Sequence, residues 1–87
     1  MEMGQFRRVS QMDGVSNQFT IRTSTGIVFQ SYGSVIAFVS EGKVWLDTEM
    51  WDYSRTTGKY RNKFLKETKA ETERKIKSGE YTLTNLN

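Results

Sequence analysis

The chain has 87 residues, 13 of them basic and 10 acidic, for a net charge of +3, and it contains no histidine, cysteine or proline. Without Cys or His there is no Cys–His nucleophile, no Ser–His–Asp triad, no zinc finger and no disulfide framework. No run approaches the ~20 apolar residues that span a bilayer. Met1–Asp13 lacks the apolar core of a signal peptide, so a cytoplasmic protein with no membrane partner is expected. The length implies a single small domain over residues 1–87, which buries only about 60% of its unfolded surface. Two Trp, four Tyr and five Phe offset that thin margin, since each aromatic can bury ~150–250 Å².

Residues 1–17 are expected to form a weakly ordered N-terminal segment or an extra strand over Arg7–Met12, ended by Asp13-Gly14. Gln18–Thr23 alternates Phe19 and Ile21 with polar neighbours, as a half-buried strand does. Ser24-Thr25-Gly26 is a turn signal before a strand over Ile27–Tyr32. Gly33 breaks or bulges the chain ahead of Val35–Ser40, and Glu41-Gly42 is a tight hairpin turn into Lys43–Asp47. Asp52 or Ser54 can cap a helix running to about Glu67. Thr68-Lys69-Ala70-Glu71 has the spacing of a capping box opening a second helix, which Arg74, Lys75, Lys77 and Gly79 close. Tyr81-Thr82-Leu83 alternates like a closing edge strand. The class is α+β: a small antiparallel β-meander of three to five strands, then two helices and a short C-terminal strand.

Val35–Ser40 is apolar on both faces, with Val35, Ala37 and Val39 on one side and Ile36 and Phe38 on the other in a regular strand. Val44 and Leu46 share a face across the hairpin, opposite Trp45. Such a strand is normally covered on both sides. The helices can cover one side. The other calls for the N-terminal segment or a second copy of the chain, so a homo-oligomer, most simply a dimer, is expected.

Charge is unevenly distributed. The first fifty residues hold four basic and five acidic side chains, and the remaining stretch holds nine basic and five acidic. At ~100° per residue, Tyr53, Thr57, Tyr60 and Phe64 fall on one face of the first helix, Arg55, Lys59, Lys63 and Lys66 lie opposite, and Arg61 flanks the apolar side. Like charges at i,i+4 repel by a few tenths of a kcal/mol, and an acidic or phosphate-bearing partner would offset that. Ser54, Thr56 and Thr57 place hydroxyls at the same helix start, where free N–H groups and the dipole favour an anion. They can equally serve as caps that bond locally. Gly58-Lys59 is followed by Tyr60, so this is no Walker A loop. The expected ligand is a nucleic acid or a nucleotide, with Ser54, Arg55, Thr56, Thr57, Lys59, Lys63 and Lys66 on phosphate and Trp51 or Tyr53 stacked on a base. The bland alternatives are a solvated helix face and core aromatics. No RNP, helix-turn-helix or KH-type pattern is present.

No catalytic residue is assigned and no cofactor is expected. Asp47, Glu49 and Asp52 are the nearest approach to acid–base groups or a Mg²⁺ or Ca²⁺ site, but such a cluster is more often a polar strand end and a helix cap, so no metal is assigned.

The segments Gln30-Ser31-Tyr32-Gly33-Ser34-Val35-Ile36-Ala37, Gly42-Lys43-Val44-Trp45-Leu46, Trp51-Asp52-Tyr53-Ser54-Arg55-Thr56-Thr57-Gly58-Lys59-Tyr60 and Phe64-Leu65 together follow a SYxxxIA…W.YSxTTxKxxxxFL-type pattern. The pattern resembles that of a family of short, uncharacterised bacteriophage proteins. The resemblance implies a phage or prophage product in the cytoplasm of a bacterial host, a setting in which small non-enzymatic proteins inhibit or sequester parts of host immunity. It implies no site residues. The first functional expectation is therefore non-enzymatic capture of a phosphate-bearing ligand. The alternative is an inhibitor that docks on a host defence protein through exposed aromatics, with Phe38, Trp45 and Trp51 as anchors.

Overall fold

The structure is a computed structural model that describes residues 2–87. Six strands form one sheet in sequence order: β1 (Phe6–Gln11), β2 (Gln18–Thr23), β3 (Ile27–Ser31), β4 (Ser34–Ser40), β5 (Lys43–Asp47) and β6 (Tyr81–Thr84). The first five form an antiparallel meander. Helices α1 (Arg55–Leu65) and α2 (Lys69–Ser78) lie between β5 and β6, so the chain crosses over the sheet and β6 joins β5 in parallel. The fold is α+β, a meander followed by two helices and a short closing strand. Arg7–Met12 is a strand shifted by one residue, to Phe6–Gln11, and Met12–Gly14 is a 3-10 turn.

Local chemistry explains these boundaries. Glu41 and Gly42 both take positive φ, 51° and 76°, as a two-residue hairpin turn with the strands' own twist demands. Gly26 is required for a different reason: a Cβ there would run into the carbonyl oxygen of Val39. Ser54 is the N-cap of α1 and accepts from the Thr57 N–H at 3.1 Å. Thr68 and Glu71 complete both bonds of a capping box at α2. Lys66 ends α1 in the left-handed region and Gly79 does the same for α2.

The two faces of the sheet differ. On the helix side Phe29, Ile36, Ala37 and Leu46 pack with Tyr60 of α1 and Tyr81, and Phe64 stacks on Phe29 at 5.5 Å. Val9, Ile21, Val28, Phe38, Trp45 and Thr82 stand in register across all six strands on the other side. The chain's own ends cover part of that second face: Met3 and Leu86 pack into its apolar cluster. Asn87 clamps the tail by bonding both the N–H and the C=O of Val35.

Regular alternation along β4 is corrected here. Phe29 faces Ala37 and Gln30 faces Val35, so Ile36 is the extra residue of a bulge. The bulge places Ile36 and Ala37 together in the helix-side core and turns Val35 to the opposite cluster. Gly33 itself lies in the tight β3–β4 turn, between Ser31 and Ser34, which pair.

Candidate functional site

The basic stripe of α1 is real as a sequence pattern, but its members have different fates in space. Arg55 and Lys59 are exposed and line an open depression of about 480 Å³ beside Ser54, Gly58, Asn62 and, from α2, Lys69. Lys63 is engaged with Asp13 of the 3-10 turn at 2.6 Å, and that carboxylate raises its pKa. Both members of this pair are about half exposed, so its net contribution to stability is small. Lys66 lies past the end of the helix and lines a separate groove with Arg8 and Arg22.

The hydroxyls divide in the same way. Thr57 is fully buried, bonded to Ser31 at 2.8 Å and to Ser54 at 3.1 Å. Ser54 is occupied as the cap. Of the three hydroxyls, Thr56 alone is exposed. A phosphate at this helix start would therefore meet Arg55, Thr56 and Lys59, with Thr57 behind the surface as part of the α1–β3 contact.

Arg61 is the residue whose role the periodicity missed. It is 1% exposed, although it sits in the most cationic stretch of the chain. One terminal guanidinium nitrogen donates to the Trp51 carbonyl at 2.9 Å and to Asp52 at 3.0 Å, the second donates to Asn62 at 3.0 Å, and the buried Nε has no hydrogen-bond partner among the described residues. The guanidinium also lies over the Trp51 ring, 5.1 Å from its centroid. Asp52 holds Lys69 as well, at 2.6 Å. Burial pushes the Asp52 carboxyl up, but Lys69 and Arg61 together outweigh it and hold its pKa below the ordinary value. The same depression is thus lined by a cluster of one carboxylate, Asp52, between two cations, Arg61 and Lys69, while Arg55 and Lys59 stand outside any ion pair among the described residues.

Trp51 is half-buried, with Arg61 against its ring, whereas Tyr53 is 61% exposed. Tyr53 is the better placed of the two to stack on a base. The aromatics considered as protein anchors do not form an exposed patch: Phe38 is 1% exposed and stacks on half-buried Trp45 at 5.6 Å. The large apolar side chains that do reach solvent include Phe6 and Val9 on β1, Tyr32 and Tyr53.

The carboxylates have structural partners. Asp47 accepts from the N–H groups of Leu86 at 2.7 Å, Met50 at 2.9 Å and Glu49 at 3.2 Å. Burial raises its pKa, but these backbone donors and Asn87 outweigh burial and leave it lowered. Glu67 accepts from Lys75, Tyr81 and Thr72. Its pKa is also lowered against the effect of burial, while burial and Glu67 raise that of Tyr81. No group of three or more metal-ligating side chains occurs among the described residues, and no helix among them is long and apolar enough to cross a membrane.

No curated protein and no solved structure matches the chain significantly. Residues 3–80 match a family of unknown function, DUF8033, and the chain belongs to that family.

Proposed function

For this member of the DUF8033 family we propose non-enzymatic capture of a phosphate-bearing ligand, nucleic acid or nucleotide, with Arg55 and Lys59 of α1 as the principal anion contacts. The observation that carries this reading is the contrast at the start of α1. Arg61 and Lys69 are paired with Asp52, whereas exposed Arg55 and Lys59 have no acidic partner among the described residues. Cations kept in water beside a depression, with their i,i+4 repulsion unrelieved, suit a soluble polyanion. Thr56 adds an exposed hydroxyl and Tyr53 an exposed ring for stacking. If the resemblance to phage proteins holds, such capture would act in a bacterial host as a counter to its defences.

The test is fluorescence anisotropy of a labelled oligonucleotide and of a labelled nucleotide against the wild type and an Arg55→Glu/Lys59→Glu variant. Both residues are exposed, so the variant should keep its circular dichroism and melting transition. Binding that weakens at least tenfold and falls steeply with salt is expected. A folded variant that binds as the wild type does would sink the proposal.

A second reading, docking on a host protein, draws its support from β1 rather than from Phe38, Trp45 or Trp51. Phe6 and Val9 are exposed on an edge strand, and an edge is a ready template for strand addition. Capture of a partner that Val9→Lys abolishes and Arg55→Glu/Lys59→Glu leaves intact would favour this reading.

A further inference from the structure

Beyond α1, a second cationic surface lies where the sheet is left uncovered on the helix side. In the β1–β2 pairing Arg8 stands directly opposite Arg22, and Ser10 stands opposite Thr20. The extra residue of a bulge between Phe6 and Arg8 precedes this pair. Like charges directly opposite one another on a sheet disfavour the pairing. Nothing nearby relieves them: neither Arg8, Arg22 nor Lys66 has an ion-pair partner among the described residues. These three exposed cations and the two hydroxyls line a groove of about 430 Å³ without a single carboxylate, and Ile27 and Phe64 form its apolar side. Phe64 is already stacked on Phe29, so the groove offers charge and hydroxyl donors rather than a free ring.

We propose that this groove is a phosphate-binding subsite in which Arg8, Arg22 and Lys66 are the anion ligands, and that it works with Arg55 and Lys59 to hold successive phosphates of one nucleic-acid strand. The proposal rests on the phosphate reading above and narrows its ligand. Guanidinium groups match phosphate oxygens in a fork that donates two hydrogen bonds at once, and Ser10 and Thr20 can donate to the same oxygens. The two cation groups lie at opposite ends of α1. From Arg55 to Lys66 the helix rises ~16 Å at 1.5 Å per residue. A single nucleotide cannot place phosphate at both ends of that distance. A nucleic-acid strand, with a charge about every 3.4 Å along a duplex axis, places several along it.

The experiment is a length series of single-stranded oligonucleotides, from dinucleotide to dodecamer, titrated at several salt concentrations. The wild type, Arg8→Gln, Arg22→Gln and the Arg55→Glu/Lys59→Glu variant are compared, each checked for folding by thermal melting. The wild type should bind the dodecamer more tightly than the dinucleotide. Each groove substitution should weaken dodecamer binding about tenfold and reduce the salt slope by about 0.7, with little change for the dinucleotide. If the groove variants bind every length as the wild type does, while Arg55→Glu/Lys59→Glu loses binding, the subsite is refuted and the phosphate reading stands. If the wild type binds neither oligonucleotide nor nucleotide, both fall.

Discussion

The β1–β2 hairpin and the unit built from β5, α1, α2 and β6 treat charge in opposite ways. In the second unit, the charges removed from water have partners. Arg61 has Asp52, the Trp51 carbonyl and the Trp51 ring, Asp47 has three backbone donors, and Glu67 has Lys75, Tyr81 and Thr72. In the hairpin every residue of β1 is exposed, and Arg8 faces Arg22 with no acid to separate them. In the second unit the pairing is incomplete at one atom, the buried Nε of Arg61, which has no partner among the described residues. Unrelieved charge at an exposed edge adds nothing to stability and is available for a ligand.

The sharpest way to break that contrast is at Arg61. Arg61→Ala should cost about 3 kcal/mol, because it empties a buried volume and leaves Asp52 with Lys69 alone. Urea unfolding measures it, and a loss below about 1 kcal/mol would mean that the cluster is no more important than a surface pair. Leu86→Ala should cost about 2 kcal/mol, near the low end for a buried leucine, because Leu86 covers Ile21, Val28 and Phe38 from outside the sheet. Sedimentation of the same variant tests whether the opened face recruits a second copy; an unchanged monomer–dimer balance would separate covering that face from self-association.

Asp47 links the contrast to pH. Its folded-state pKa is lowered, so the stability it supplies is fully present above the ordinary carboxylate range, about pH 4. That stability is lost as pH falls through the lowered value. Glu67 acts in the same direction. Asp47→Asn should cost about 1.5 kcal/mol at neutral pH, since neutral acceptors hold backbone N–H groups less strongly. It should also flatten the acid limb of the stability curve. An unchanged pH dependence would remove Asp47 as the anchor of the C-terminal tail.

Much of this second unit, and the turn that leads into it, was legible in the residues themselves. Ser54 as a cap, the Thr68–Glu71 box and the Glu41-Gly42 turn are local chemistry, and each lies where its spacing places it. What escaped depends on distant neighbours. Periodicity left Arg61 at the flank of the apolar side and could not see that Trp51 and Asp52 fold back over it. The Ile36 bulge follows from fitting β4 between β3 and β5, and the parallel pairing of β6 follows from the two-helix crossover. The arginine groove was hidden because it joins residues 8 and 22 to residue 66, across a chain whose first fifty residues carry a slight negative excess. Gln18 is a milder case: a polar residue on a strand with alternating apolar neighbours, it is buried with neither amide atom hydrogen-bonded among the described residues. Gln18→Met keeps the shape and removes two unsatisfied atoms, so it should raise stability by about 1 kcal/mol; a lower melting temperature would show that the amide is satisfied.

The smallest expected effect separates the two regions most cleanly. Arg8→Glu replaces a facing pair of like charges with a cross-strand ion pair to Arg22, and such pairs are worth about 0.2–1 kcal/mol. The variant should therefore be as stable as the wild type or slightly more so, whereas removing a charge partner from the α1–α2 unit destabilises. If the groove holds a nucleic-acid strand, the same substitution should weaken oligonucleotide binding, because it places a carboxylate among the phosphates' ligands. Urea unfolding and an oligonucleotide titration on one preparation give both quantities. Gain of stability with loss of binding would mean that the arginine is retained at a cost to the fold and for the sake of the ligand. A loss of stability above about 1 kcal/mol, beyond the range of an exposed cross-strand pair, would mean that Arg8 is part of the hairpin's own architecture, and the division between a charge-paired unit and an edge of unpaired charge would not hold.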